Sequence, residues 1–251
     1  MSSPRSVLIT GANRGIGLGL VQQLVKDESI QHIIATARDL QKATELKAIK
    51  DPRIHLLPLE VTSDESIDNL VVEVGKIVGA EGLNLLINNA GVLLKYNSPL
   101  EPNRALLTEQ LSVNTVSVVI LSQKFLPLLT KAASRVSGDS LSVSRAAIVN
   151  ISSGLGSIGA NTIGSGWFQG LGYRMSKSAI NQFSRTFSVD VKDMHILVVS
   201  FAPGWIQTDL GGPNATFTVE QATSELAVAF NKLDNSHNGG FLNRDLTPFE
   251  F

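Results

Sequence analysis

The sequence predicts an α/β fold, a doubly wound parallel sheet of about seven strands with helices on both faces. Three observations predict it. Short apolar runs alternate with amphipathic segments along the whole chain. A glycine-rich turn follows the first apolar run. No break in composition divides the chain, so a single domain spans 1–251. Hydrophobic residues make up 43% and charged residues 17%, which supplies the apolar side chains that one core of this size needs.

The elements follow in order. Residues 6–10 read as a short buried strand. The segment 16–27 places Ile16, Leu20 and Leu24 at helical spacing. Residues 32–37 are strand-like, 40–50 charged and helical, and 53–59 a strand. The segment 64–78 is an amphipathic helix that Ser63 or Asp64 caps. A strand at 83–88 leads into Asn88, Asn89, Ala90 and Gly91. The rhythm then repeats, with a long helix at 103–129, a strand at 146–152, a helix at 173–192 and a strand at 195–202. A helix at 219–233 and a short strand at 240–242 complete it. Parallel strands need crossovers, which are right-handed in nearly all cases. The expected result is a Rossmann-like sandwich. The stretch 154–172 holds seven glycines and few charges, and reads as an inserted loop or lid, because the strand–helix rhythm resumes after it.

The first turn carries Gly11, Asn13, Arg14, Gly15, Ile16 and Gly17. Gly11 suits a tight turn, Gly15 a close approach to a pyrophosphate, and Gly17 helix–strand packing. The helix that follows offers unpaired N–H groups to phosphates. After the second strand stand Arg38 and Asp39. Arg38 and Arg14 suit a 2′-phosphate and so favour NADP(H). Asp39 is the opposing choice, a carboxylate facing ribose hydroxyls.

Tyr173 and Lys177 lie i and i+4 on one helical face. A phenol titrates near 10 when unperturbed, and a nearby ammonium is expected to lower that value and help it exchange a proton. Ser152 and Ser153 end a strand, where open α/β sheets bind ligands. Either can hydrogen-bond a substrate oxygen. Asn114 sits in an apolar helical stretch, as a satisfied core amide or as part of a proton path. Trp167, Phe168 and Trp205 fall in loops near this edge. They either stack on an apolar carbonyl substrate or anchor the loops.

Other function classes are excluded or weakened. With no cysteine, there is no disulfide and no thiolate chemistry, which fits a reducing compartment and a cytoplasmic location. The four histidines are scattered, and no metal is expected. A net charge of −1 without a basic block argues against nucleic acid or an anionic membrane as partner. No apolar run reaches the ~18 residues of a membrane span, and the N-terminal stretch does not read as a signal peptide.

Taken in order, these motifs resemble the short-chain dehydrogenase/reductase family over nearly the whole chain. They are the glycines at 11–17, the Asn88–Gly91 run, Asn114, the serines at 152–153, Tyr173 with Lys177, and the run from Pro203 to Thr208. Within the family the chain is most similar to the Sniffer-type carbonyl reductases. The resemblance implies NADPH-dependent reduction of a ketone, aldehyde or quinone. Tyr173 is then the acid/base, Lys177 tunes it and binds the nicotinamide ribose, Ser153 polarises the carbonyl, and Asn114 positions a relay water. Asn88, Ala90 and Gly91 flank the adenine or its ribose. Pro203, Gly204, Ile206 and Thr208 line the nicotinamide side, and Arg14 and Arg38 hold the 2′-phosphate. Glu60 and Val61 stand where the family has an Asp and an apolar residue beside adenine. The step from Ser153 to Tyr173 is longer than is common in the family, which enlarges the loop over the pocket. The alternatives are an NAD-dependent alcohol or hydroxysteroid dehydrogenase and a non-catalytic NADPH sensor. The long helices at 103–131 and 173–192 offer a surface to a second copy, and the inserted loop could equally cover it, so monomer or homo-oligomer stays open.

Overall fold

Period-two alternation of apolar side chains builds the centre of the molecule, in the computed structural model that describes residues 3–251. Met1 and Ser2, at the start of the stretch read as lacking a signal peptide, lie outside the described residues. The strands are β1 (Ser6–Ile9), β2 (His32–Ala37), β3 (Ile54–Pro58), β4 (Leu85–Asn88), β5 (Ala147–Ile151), β6 (Leu197–Ala202) and β7 (Phe241–Asn243). They form one parallel sheet in the order β3-β2-β1-β4-β5-β6-β7. The helices are α1 (Gly15–Leu24), α2 (Thr44–Ala48), α3 (Asp64–Val78), α4 (Arg104–Leu111), α5 (Ser117–Ala133), α6 (Leu171–Asp190) and α7 (Val219–Phe230).

Successive strand residues point to opposite faces. Val7, Ile9, Ile33, Leu85 and Ile87 pack with Leu20 of α1 and Leu226 and Phe230 of α7. Leu8, Ile34, Leu86 and Ile148 pack on the other face with Leu70 of α3, Phe125 of α5 and Phe187 of α6. The order reverses between β1 and β4, so a crevice opens beyond their carboxyl ends.

Three elements differ from expectation. The helix expected at 40–50 is a 3-10 turn at Leu40–Lys42 followed by α2. Asp39 accepts the Gln41 N–H at 2.8 Å, and fully buried Ala43 takes a non-helical conformation between the two. The long helix expected at 103–129 runs from Arg104 to Ala133 with a π turn at Ser112–Val116. The Ser117 hydroxyl donates to the Ser112 carbonyl at 2.8 Å across that turn. This 30-residue helix is long and apolar enough, by length and mean composition, to cross a membrane, although polar residues interrupt it and it contains no continuous apolar run of that length. It lies on the sheet, with Leu121, Phe125 and Leu129 in the core. Third, α6 starts at Leu171, so Tyr173 sits inside its first turn rather than opening it.

The loop before α6 folds onto the segment after β4. Tyr96 pairs with Gly170, its N–H donating to the Gln169 carbonyl at 2.6 Å and its carbonyl accepting from Leu171 at 3.1 Å.

Candidate active site

The crevice is built on two polar frameworks, one under the glycine turn and one under α6. In the first, Gly11 has φ +64, which favours glycine, and a Cβ on Gly17 would collide with the Gly11 carbonyl. Ala12 N–H ties the turn to the Thr36 carbonyl at 2.7 Å. Arg14 is the N-cap of α1 and makes no side-chain cap, so no side chain competes for the first-turn N–H groups there. Asn13 is half-exposed, and Ile16 packs partly on the core. The Thr10 hydroxyl accepts the N–H groups of Asn89 and Ala90, each at 3.0 Å. Asn89 returns its amide to the carbonyls of Thr10 (2.8 Å) and Gly11 (3.1 Å). Sequence reasoning missed Thr10 and Asn89; their signal was polarity at the ends of two apolar strands.

Asn88 requires a correction. Its side chain lies in the core, 3% exposed, donating to Asn150 Oδ1 at 2.8 Å and Ser122 Oγ at 3.2 Å. Its register partner on β5 is that same Asn150, so the strand pairing draws the amide inward. Ala90 and Gly91 stay at the crevice.

The two arginines are exposed and paired with carboxylates. Arg14 reaches Asp209 at 2.5 Å, and Arg38 lies 3.9 Å from Glu60. Glu60 also accepts from the Thr62 hydroxyl at 2.8 Å, and Val61 packs partly on the core. Asp39 caps its own turn and pairs with Lys42, which draws it away from the alternative ribose role.

Under α6 the groups are buried. Tyr173 is 7% exposed and Lys177 4%. Lys177 Nζ donates to the Ile151 carbonyl at 2.7 Å and lies 5.5 Å from the centroid of the Tyr173 ring. Burial pushes the lysine down to about 8. Burial also pushes the Tyr173 phenol up to about 12, against a smaller opposing effect of the Ser153 hydroxyl. The lowering expected from Lys177 does not appear; desolvation dominates, and only the Ser153 hydroxyl opposes it. The phenol stays protonated, which is the form that can donate.

Strand alternation separates the two serines. Ser152 faces α6 and donates to Asn181 Oδ1 at 2.7 Å. Ser153 turns toward Tyr173, whose phenol its hydroxyl meets, and accepts the Leu155 N–H at 3.1 Å. Asn114 is fully buried in the π turn; its Oδ1 accepts from Val92 N–H at 2.9 Å, and its Nδ2 donates to Val92 O (2.8 Å) and Ser176 Oγ (3.1 Å). Gln110, one turn earlier, grips the same segment through Leu94 N–H (2.8 Å) and Val92 O (2.7 Å). It was missed, although the i, i+4 polar pair was its signal. A Cβ on Gly91 would lie 3.3 Å from Asn114 Oδ1 and 3.8 Å from Lys177 Nζ, so Gly91 keeps the space between them open.

Beyond β6, Pro203 and Ile206 are buried and Gly204 has φ +89. Thr208 faces the glycine turn, its methyl 3.2 Å from where a Gly15 Cβ would be. Trp205 donates to the Gly211 carbonyl at 2.7 Å. Its ring lies 5.7 Å from Trp167, which is 76% exposed, and Trp167 meets Phe168 edge-on at 5.7 Å. Phe168 packs under Arg174, so it anchors the loop, while the two tryptophans present surface.

Comparison with known proteins is consistent throughout. The chain is 65% identical, over 100% of both chains, to a Caenorhabditis elegans structure provisionally described as the carbonyl reductase Sniffer, with a TM-score of 0.94. It is 39% identical to the carbonyl reductase Sniffer of D. melanogaster, over 99% of this chain and 100% of that one, with a TM-score of 0.94. It is also 39% identical to an NADPH-bound carbonyl reductase from chicken fatty liver, over 100% of this chain and 96% of that one, again with a TM-score of 0.94. The short chain dehydrogenase family profile matches residues 5–217, and the chain therefore belongs to that family.

Proposed function

We propose that this protein reduces a ketone, aldehyde or quinone carbonyl to the alcohol with NADPH. The observation that carries the reading is the convergence of Ser153, Tyr173 and Lys177 at the carboxyl end of β5, two of them buried and the tyrosine protonated. A bound carrier of no chemistry needs no proton donor there. The NADPH-bound chicken carbonyl reductase, similar over the full length, supports the cofactor and the substrate class.

The chain's own features fit the cofactor. The α1 N-terminus, without a side-chain cap, and the Gly11 turn suit a pyrophosphate. Arg14 and Arg38 suit a 2′-phosphate, and Lys177 suits ribose hydroxyls with the N–H groups not given to Ile151. Ala90, Gly91, Glu60 and Val61 border the adenosine side, and Pro203, Gly204, Ile206 and Thr208 the nicotinamide side. Bound there, NADPH supplies the hydride.

Ser153 donates its hydroxyl proton to the substrate oxygen and orients the carbonyl. Tyr173 then delivers a proton to that oxygen as charge develops on it. Lys177 stabilises the phenolate left behind and begins its reprotonation. Asn114 takes a supporting role: its amide fixes Val92 and Ser176, and the gap it shares with Lys177 beside Gly91 suits a relay water. Trp167 and Trp205 form one wall of the pocket mouth and favour flat apolar substrates. The 154–172 stretch fits an insertion within one domain, and a cytoplasmic location fits the proposed activity.

The test is oxidation of NADPH and of NADH, followed separately with 2,3-butanedione and 1,4-naphthoquinone. Turnover with NADPH is expected. Tyr173→Phe is expected to lose ~10³-fold or more in kcat, as removal of a positioned proton donor does, while binding NADPH as before. A Tyr173→Phe protein that keeps most of its activity sinks the mechanism.

A further inference from the structure

The turn carrying Ser153 leaves the sheet at once. Ser152 N–H makes the last strand-type bond, to the Phe201 carbonyl at 2.8 Å, and a 3-10 turn at Gly154–Gly156 follows. From there, the direction of Ser153 depends on what packs against the turn. On one side is α6, with Gly156 against the Lys177 backbone and the Ser178 hydroxyl donating to the Gly156 carbonyl at 2.8 Å.

On the other side is a segment that folds back after β7. Leu246 turns the chain with φ +68, and Asn243 N–H donates to the Thr247 carbonyl at 2.8 Å. Leu242 pairs antiparallel with Pro248, and Phe249 N–H donates to the Phe241 carbonyl at 2.7 Å. The Phe249 ring lies 4.9 Å from the ring of Phe241, which is 1% exposed and fixed in the core. The same ring covers Gly154: a Cβ there would come within 2.9 Å of its Cζ. Beyond the turn, Gly159 N–H donates to the Phe251 carbonyl at 3.0 Å. A non-glycine residue held at positive φ is costly, and the returning hydrogen bonds and stacked rings are what offset it.

We infer that Phe249 is a positioning residue for the reaction: its ring, anchored on Phe241, presses the Gly154 turn onto α6 and so aims the Ser153 hydroxyl at the substrate oxygen. The inference rests on the proposed role of Ser153. Removing the ring leaves a void on one side of a turn that has no strand partner, and the turn relaxes into it. As a positioning residue, Phe249 acts through Ser153 rather than on the substrate itself.

The experiment is a double-mutant cycle on kcat for NADPH-dependent reduction of 1,4-naphthoquinone, with NADPH affinity measured by fluorescence quenching. Phe249→Ala is expected to lower kcat ~10-fold, the scale of effect that misplacing a reacting group by a fraction of an ångström has, with NADPH affinity unchanged. Phe249→Leu keeps most of the activity. In a Ser153→Ala background, Phe249→Ala has no further effect, because the group it positions is gone. An equal loss in both backgrounds overturns the inference, since it marks ordinary packing. Wild-type kcat in Phe249→Ala, beside a disabled Ser153→Ala, overturns it while leaving the role of Ser153 standing. Full activity in Ser153→Ala overturns both. If Phe249→Ala does not fold, Gly154→Ala approaches the same contact from the other side. It is expected to lower kcat and to be partly restored by Phe249→Leu, and wild-type kcat in Gly154→Ala also overturns the inference.

Discussion

Lys177 is 4% exposed and donates to a strand-end carbonyl at 2.7 Å, whereas Arg38 has 82% of its side chain in solvent and lies 3.9 Å from its nearest carboxylate. Both are cations assigned to one bound dinucleotide, at opposite ends of the crevice. At the α6 end, polar groups are locked by neighbours: Asn114 by Val92 and Ser176, and Ser152 by Asn181. At the arginine end, Arg14–Asp209 and Arg38–Glu60 are surface pairs. Exposed pairs contribute ~0–1 kcal/mol and weaken with salt. Chemistry is thus placed where geometry is fixed and charges are strong. On the proposed reading, selection between cofactors falls where contacts are cheap to exchange. Substitutions at the two ends should differ in size and in salt dependence.

The largest expected effect tests the buried end. Burial holds the Lys177 amine near 8, so its charged form is present below that pH and is lost as pH rises through it. If the charge supports proton delivery from Tyr173, kcat/KM for reduction falls above about pH 8. Lys177→Met should lower kcat/KM ~10²–10⁴-fold, the usual weight of a proton-transfer group, and remove that limb. Lys177→Arg, which keeps its charge at any accessible pH, should also remove it. A limb that persists unchanged in Lys177→Met assigns the titration elsewhere. Tyr173, pushed up to about 12, is too high to account for it.

Much of both regions was legible in the sequence because local rules set it. α3 spans the expected residues because Ser63 caps it, accepting the Ser66 N–H at 3.2 Å. β2 is bounded as expected because its apolar run ends at the exposed Arg38. That Ser152 and Ser153 face different partners follows from alternation once the strand is placed. What was not legible came from partners far along the chain. Asn88 faces inward because β5 sets Asn150 opposite it, and no local signal says so. The phenol rises instead of falling because of burial, which is invisible in an i, i+4 pair, and only the Ser153 hydroxyl opposes it. Phe249 backs a turn whose sequence lies far upstream. The π turn was signalled only by a polar residue among apolar ones, and Asn114 was open to two readings for that reason.

A smaller effect is expected at the arginine end. Arg38→Ala removes one charge-assisted contact to a 2′-phosphate, worth ~1.5–3 kcal/mol where it is well formed. At such an exposed site the loss in NADPH affinity should sit near the lower bound, about tenfold. NADH affinity should not change, since it has no phosphate there. Raising the salt should narrow the gap between wild type and variant, and kcat should be preserved. Titration by fluorescence quenching with both cofactors, at low and high salt, checks this. An equal loss for NADH would mean that Arg38 contacts adenine rather than the phosphate.

The smallest effect falls on Asp209, which competes for Arg14. With both side chains mostly exposed, at 66% and 75%, the pair is weak, and NADPH must break it to engage Arg14. Asp209→Asn removes the competitor and also lowers the negative charge facing an anionic ligand. Both changes act in the same direction, so NADPH should bind about two- to threefold more tightly, the share of affinity an exposed pair can withhold. The effect should vanish at high salt and in an Arg14→Ala background. Tighter binding that survives in Arg14→Ala would mean Asp209 repels the cofactor directly. Weaker binding in Asp209→Asn would mean the ion pair helps to close the crevice, and the contrast between a fixed and an exchangeable end would then fail at its weakest contact.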